Sequence, residues 1–228
     1  MMSQTILALD ASTEALSIAL LHNDQEYHFF DVCPQQHAQR ILDEVDGVLK
    51  QAGCDISDVD VIGYCQGPGS FTGVRISVSV AQGLAFSANI PVVGVSSLAM
   101  MAQQAIEQGA ERVVAAIDAR MGEVYLGAYE AVDGLAQLGG EQQVLKPEDV
   151  TNPFADAVAV GTGWKTYPEL LTSVNGLEDM TTVTLPDSRY MLKHVAKSVE
   201  LGQTTSAANA QPVYVRDTVT WKKLPGRE

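Results

Sequence analysis

The stretch TILALDAS, residues 5–12, and the stretch RVVAAIDAR, residues 112–120, follow the same pattern. Each is a nearly unbroken apolar run that ends at or just before an acid, as expected of a strand buried on both faces of a sheet. Further strand-like segments follow each run, and helical and strand-like segments then alternate. The repetition predicts an α/β fold built from two similar lobes by internal duplication.

The segments between these runs predict the elements of each lobe. In the first lobe we expect a meander of three strands, a helix at residues 37–52 stopped by Gly53, a strand at 59–65, a helix at 71–88, a strand and a last helix. In the second lobe we expect strands after residues 112, 123, 134 and 157, a helix near 166–174, and a helix from Ser188, as N-cap, to Leu201. The predicted domains are residues 1–108, residues 109–217 and a basic tail, 218–228.

Composition restricts the classes of function. The chain has 228 residues and a net charge of −14. An acidic body repels nucleic acid, whose binding depends largely on Lys and Arg. Only the C-terminal end is basic; its residues Trp221, Lys222, Lys223 and Arg227 either contact RNA or a partner, or form a solvated end. The N-terminus does not match a secretory signal and no long apolar run occurs, so we expect a cytoplasmic protein.

The stretch QGPGSFTG, residues 66–73, joins a predicted strand to a predicted helix. Glycines ahead of a helix N-terminus have the geometry of an anion site. The spacing, however, fits neither the GxxxxGK of a nucleotide-hydrolysing loop nor the GxGxxG of a dinucleotide loop. Phosphate binding and a tight structural turn therefore both remain open for this loop.

The helix at 71–88 has a stripe of mostly small residues at helical spacing: Gly73, Ser77, Ala81, Leu84 and Ala88. Such a stripe lets another backbone approach closely. The neighbour is either part of the same chain or a helix of another subunit.

Four segments together resemble the TsaB family, also called YeaZ: ILALDASTEALSIAL, QGPGSFTGVRISVSVAQGLA, DARMGEVY and QPVYVR. The resemblance runs over nearly the whole chain. It implies the two-lobed, actin-like ASKHA fold and a part in placing a threonylcarbamoyl group on the adenosine beside the anticodon of tRNA. It also implies two partners, a TsaD-like protein and a TsaE-like ATPase, with tRNA contacted only through the complex and no membrane contact.

The resemblance does not imply that this chain performs the chemistry. In the TsaD family an HxxxH pair binds a metal, and here an ungapped alignment places Ser97 and Met101 at those positions, neither of which replaces an imidazole. We therefore expect no catalytic residue, no metal site and no tightly bound cofactor in this chain, with ATP and a metal in the partner complex. Peptidase activity is not expected, since HExxH and GxSxG are absent and Ser70 has no identifiable base.

Two sets of site residues follow. The interface with TsaD, or with a second copy when TsaD is absent, is expected at the helices 38–52 and 71–88, through Ile41, Val45, Gly73, Val74, Ser77, Val78 and Ala81. Vestigial nucleotide or anion contacts are expected at Asp10, Ser12, Thr13, Gly67, Gly69, Ser70, Asp118, Arg120, Gly161 and Gly163. Within the family DARRGEVY is usual, so Met121 removes one positive charge from that turn. The alternative function is a stand-alone ATPase or small-molecule kinase that uses Asp10 and Asp118.

Overall fold

Five strands form the first sheet, in the order β3-β2-β1-β4-β5. The computed structural model describes residues 4–180 and 182–215. The strands are β1 Ile6–Asp10, β2 Ala15–His22, β3 Gln25–Val32, β4 Val61–Gly67 and β5 Val92–Ser96. The helices of this part are α1 His37–Ala52, α2 Phe71–Ala88 and α3 Ser97–Glu107. The predicted helices at 37–52 and 71–88 are confirmed, and Gly53 ends α1 in the left-handed conformation.

The second sheet has six strands, in the order β11-β10-β6-β7-β8 with β9 paired to β7. They are β6 Arg112–Arg120, β7 Glu123–Val132, β8 Leu135–Leu138, β9 Gln143–Leu145, β10 Ala157–Val160 and β11 Leu177–Asp179. The helices that follow β10 are α4 Thr162–Thr166, α5 Glu169–Ser173 and α6 Leu192–Glu200. Short 3-10 helices occupy residues 56–58, 147–149, 188–191 and 207–209.

The two stretches that predicted the duplication occupy matching places. β1 is central in its sheet, antiparallel to β2 and parallel to β4. β6 is central in the other, antiparallel to β7 and parallel to β10. The predicted two-lobed α/β architecture with mixed sheets is therefore confirmed.

Helices cover both faces of the first sheet. α1 and α2 pack on one face in a single hydrophobic cluster with the strands. α6 packs on the other face, where Met100 of α3 joins the same cluster. The opposite side of α3, at Leu98 and Met101, packs against the second sheet. The helix α3 is thus shared by the two lobes, while α1 and α2 lie on the outer face of the first.

The chain returns to the first lobe after the second sheet. Ser17 of β2 accepts a hydrogen bond from the amide of Ser188 at 2.9 Å, and Thr205 bridges to Val92 of β5. Residues 187–215 therefore belong by packing to the first lobe, although the sequence division assigned them to the second. The cap of the turn before α6 is Asp187, whose side chain accepts from the amide of Arg189, and not Ser188 as predicted.

The basic tail, residues 218–228, lies outside the described residues. Within the described part of the chain, no helix combines the length and the apolar character needed to cross a membrane.

Candidate functional site

The glycine loop and the start of α2 are pressed against the turn between β1 and β2. The amide of Ser70 donates to the carbonyl of Ser12 at 2.7 Å. A Cβ at Gly69 would lie 2.4 Å from that carbonyl oxygen, and a Cβ at Gly73 would lie 2.1 Å from the carbonyl oxygen of Ala11. These two glycines are thus required for contact with the chain's own backbone, which supports the structural-turn interpretation of the loop.

Two amide groups of this loop and helix start are already used within the chain. The amide of Ser70 is bound to Ser12, and the amide of Gly73 donates to the side chain of Ser70 at 3.0 Å. The Ser70 hydroxyl is therefore the N-cap of α2. Capping the helix accounts for the serine at position 70, so no role as a catalytic nucleophile is needed to explain it.

The first hairpin encloses Asp10 and Ser12, both fully buried. One carboxylate oxygen of Asp10, Oδ1, accepts from the amide of Ser12 at 2.8 Å. The other oxygen, Oδ2, and the Ser12 hydroxyl have no partner among the described residues. Burial raises the pKa of Asp10. The neighbouring Thr13 is half-buried, and its hydroxyl accepts weakly from Ala15.

The second hairpin is more open. The Arg120 side chain is 75% exposed, and its guanidinium contacts Asp118 at 3.0 Å and Glu14 of the first hairpin at 3.2 Å. Arg120 and Met121 both have positive φ, and Gly122 completes the tight turn. The two hairpins are thus joined by one arginine, whose charge is shared between two carboxylates.

Gly161 and Gly163, the predicted remnant of an adenosine loop, are packed against β6. A Cβ at Gly161 would lie 2.2 Å from the carbonyl oxygen of Ala116, and one at Gly163 would lie 2.8 Å from the Cβ of Ala116. The hydroxyl of Thr162 between them accepts from the amide of Asp118 at 3.3 Å. The predicted anion contacts of the second lobe therefore gather at the end of β6, and Arg120 connects them to the first hairpin.

Ser97 and Met101, the residues that the ungapped alignment sets against the TsaD histidines, are both buried. The Ser97 hydroxyl donates to the carbonyl of Pro68, and so fixes the glycine loop to α3. Met101 lies in the core between α3 and the second sheet. In the described part of the chain, no group of three or more His, Cys, Asp or Glu side chains is placed to hold a metal ion.

The small-residue stripe of α2 faces inward, which corrects the predicted interface. The hydroxyl of Ser77 accepts from the amide of Ala11 at 2.8 Å, so the stripe serves the close approach of α2 to β1. Buried side chains do not reach another subunit, and the stripe's neighbour is the same chain. All seven predicted interface residues are buried in the first lobe: Ile41, Val45, Gly73, Val74, Ser77, Val78 and Ala81.

The outer face of α2 has a different character. Phe71 and Phe86 are 62% and 80% exposed, and Leu42 of α1 is 56% exposed. Between the two phenylalanines lie Ser79 and Gly83, and a Cβ at Gly83 would meet no atom of the described residues within 4 Å. The outer face, which the sequence interpretation missed, combines exposed aromatic rings with exposed polar side chains and has a low centre at Ser79 and Gly83.

Sequence reasoning also missed the partners that hold the site together. Glu14 follows the predicted Asp10–Thr13 segment directly, and its contact with Arg120 depends on how the lobes face each other. Tyr214 of the QPVYVR segment accepts from Arg75 of α2 at 3.1 Å, and Arg75 stacks on Phe71 with its guanidinium carbon 3.5 Å from the ring centre. One signal was visible in the sequence: two large apolar residues, Phe71 and Phe86, stand on the otherwise polar side of the predicted helix.

Comparison with known families gives one match over most of the chain. Residues 31–220 match the model of the family described as TsaD, tRNA N6-adenosine threonylcarbamoyltransferase. The match begins at the end of β3, so it includes α1, α2 and the second sheet but not β1 and β2.

Similar proteins cover the full length. The tRNA threonylcarbamoyladenosine biosynthesis protein TsaB of Escherichia coli K12 is 44% identical, over 98% of this chain and 99% of its own. The TsaB of Haemophilus influenzae is 41% identical over the whole of both chains. Among solved structures, YeaZ from Pseudomonas aeruginosa is 46% identical and superposes with a TM-score of 0.85, over 92% of this chain and 99% of that one.

Proposed function

This chain belongs to the TsaB family, and we propose that it acts in tRNA threonylcarbamoyladenosine biosynthesis as a non-catalytic subunit that binds a TsaD-like protein through the outer face of α2. The observation that carries the proposal is the contrast on this one helix. Its inner face is filled by the chain's own β1–β2 turn, whereas its outer face exposes two phenylalanines.

The composition of the outer face fits a protein partner. Large exposed side chains are individually common, but Phe71 and Phe86 lie on one helix face, and the exposed residues between them include Arg75 as well as the small Ser79 and Gly83. The gap at Ser79 and Gly83 gives a partner helix room to approach closely. Glycine at an exposed helix position costs about 1 kcal/mol relative to alanine, and no contact within the described residues explains Gly83. A close-packed partner helix provides that explanation.

The proposed partner, a TsaD-like protein, is similar in sequence family to this chain. The family model that matches residues 31–220 is that of TsaD, so the partner is expected to have a matching pair of helices. Two similar surfaces pair readily about a pseudo-twofold axis, which gives a four-helix interface. By the same argument a second copy of this chain occupies the surface when the partner is absent.

The state of the candidate site supports a non-catalytic role. The amides of Ser70 and Gly73 are bound within the chain itself, and Asp10 is enclosed. In this proposal ATP and the metal reside in the partner complex, a TsaE-like ATPase joins it, and tRNA is contacted only through the complex. The setting is the cytoplasm, where tRNA is modified.

The experiment is the measurement of mass by light scattering on a sizing column. The chain is run alone and then after mixing with an equimolar TsaD-like protein of the same source. The proposal expects a dimer-sized species that becomes a one-to-one heterodimer. Two unchanged peaks would contradict it.

The alternative is a stand-alone ATPase or kinase. One observation favours it: Arg120 at the second hairpin is largely exposed, and so its charge is open to an anionic ligand such as a nucleotide. Calorimetry of the isolated chain with Mg-ATP tests this alternative. Tight binding together with turnover would replace the non-catalytic proposal. A heat of mixing no greater than the heat of dilution would remove the alternative.

A further inference from the structure

Arg75 is the single charged residue of α2, and its guanidinium lies against two aromatic rings. The guanidinium carbon is 3.5 Å from the centre of the Phe71 ring and 6.0 Å from the centre of the Tyr214 ring. The Nε atom donates to the hydroxyl of Tyr214 at 3.1 Å. An arginine that is stacked and hydrogen-bonded in this way is held in place before it binds, so it loses little freedom on binding a further group.

The chain after α6 is fastened along the first lobe, and this places Tyr214 on the outer face of α2. The amide of Val213 donates to the carbonyl of Gln66 at 2.8 Å. The side-chain amide of Gln82, on α2, donates to the carbonyl of Ala210 at 3.1 Å. The family segment QPVYVR therefore has a task that the proposed function does not assign: its tyrosine positions the arginine of α2.

The charge of Arg75 is not compensated within the described residues. Each of the other described arginines contacts a carboxylate of the chain: Arg40, Arg112, Arg120 and Arg189. Arg75 is exposed, and in the described part of the chain it has no ion pair and its Nη1 and Nη2 atoms have no hydrogen-bond acceptor. These two nitrogens form one edge of the guanidinium, which matches the two oxygens of a carboxylate.

The surroundings of Arg75 favour an anion that belongs to a protein. The residue lies near the N-terminus of α2, where the helix dipole favours negative charge and does not stabilise a cation. Arg40 and Lys50, the basic residues of the neighbouring helix α1, are already paired with acids of this chain. A phosphate backbone binds through several free cations, and α1 and α2 together offer one. One arginine between exposed aromatic rings is instead typical of the centre of a protein interface.

We propose that Arg75, positioned by Phe71 and Tyr214, binds a carboxylate of the TsaD-like partner and fixes where that partner sits on the outer face of α2. The inference rests on the proposed function, and adds to it the charge that the partner carries opposite the N-terminal half of the helix. The contact surface then extends from α2 onto the C-terminal segment, where Val213 and Tyr214 are 47% and 50% exposed.

The test is a calorimetric titration of the TsaD-like protein into variants of the full chain, at low and at physiological salt. Arg75→Gln removes the charge, so the affinity should fall about tenfold or more and depend less on salt. Arg75→Lys keeps the charge without the planar fork, and its affinity should lie between the two. Tyr214→Phe keeps the ring but removes the acceptor of Nε, and should weaken pairing about threefold.

A double-mutant cycle identifies the carboxylate. The exposed acids on the partner's matching helices are replaced one at a time by their amides. One replacement should weaken pairing about tenfold with the unaltered chain and less than about twofold with Arg75→Gln. Lys197→Gln is the matched control, because it makes the same change of charge on α6, at the opposite face of the first sheet. It should pair as the unaltered chain does.

The possible failures are distinguishable. If the unaltered chain does not pair with the TsaD-like protein, the proposed function and this inference are both wrong. If Phe86→Asp weakens pairing while Arg75→Gln does not, or if no acid of the partner couples to Arg75, the inference alone is overturned. Normal pairing of Arg75→Gln with weaker retention of tRNA by the complex would also overturn it, and would assign the arginine to a phosphate.

Discussion

Gly73 and Gly83 lie on the same helix, and their surroundings are opposite. At Gly73 a methyl group would meet the carbonyl oxygen of Ala11 at 2.1 Å, whereas at Gly83 it would meet no described atom within 4 Å. The first glycine is required by the fold of this chain, and the second is not. A small residue in a helix therefore indicates that another backbone approaches closely. Only the structure shows whether that backbone belongs to the same chain.

Gly73→Ala is expected to have the largest effect. The new methyl group meets backbone atoms of the β1–β2 turn, which cannot move aside as a flexible side chain would. We expect a loss of about 3 kcal/mol or more in the free energy of unfolding, measured by urea denaturation.

Gly47→Ala in α1 is the matched control for that variant, since nothing lies within 4 Å of the added methyl group. It should gain up to about 1 kcal/mol from helix propensity. If Gly73→Ala were as stable as this control, the close contact between Gly73 of α2 and the carbonyl oxygen of Ala11 would not exist as described.

Ser77→Ala tests the polar contact on the inner face. The substitution leaves the buried amide of Ala11 without its acceptor at 2.8 Å. An unpaired buried amide costs about 2 kcal/mol, so urea denaturation should show a loss of that size. Ser79→Ala, on the exposed face of the same helix, should stay within about 0.5 kcal/mol of the unaltered protein. Equal effects at the two serines would remove the distinction between the faces.

Gly83→Ala has the smallest expected effect on folding and separates folding from pairing. An exposed helical glycine replaced by alanine gains about 1 kcal/mol in unfolding free energy. The same methyl group lies in the gap where the partner helix is expected, so pairing with the TsaD-like protein should weaken about tenfold. Thermal unfolding and a calorimetric titration measure the two quantities. A variant that is more stable and pairs equally well would place the partner elsewhere.

Much of the fold was accessible from the sequence. The apolar runs at 5–12 and 112–120 predicted two central strands, and Gly53 predicted the end of α1, because these signals are local. The strands β9 and β11 were not predicted, since three residues are too few for a periodic pattern. The cap before α6 was misplaced by one residue because Asp187 and Ser188 are both good caps.

The candidate site was less accessible, for a physical reason. Gly73, Ser77 and Ala81 on one side of α2, and Ser79 and Gly83 on the other, both meet the criterion of small residues at helical spacing. Which set faces the sheet depends on the rotation of the helix, which is fixed by packing of Val74 and Val78 into the core. The contact between Arg120 and Glu14 likewise depends on how two lobes face each other, and no local pattern encodes it.

The measurement that tests the central claim most directly is a calorimetric titration of the TsaD-like protein into the Phe86→Asp variant. Phe86 is 80% exposed, so the variant should fold as the unaltered chain does. A buried aromatic contact at an interface contributes about 2 kcal/mol or more, which predicts affinity lower by about thirtyfold. Leu201→Asp, at a residue 58% exposed beyond the end of α6, is the control and should bind normally. Unchanged affinity in Phe86→Asp, with the unaltered pair binding tightly, would contradict a docking surface on the outer face of α2.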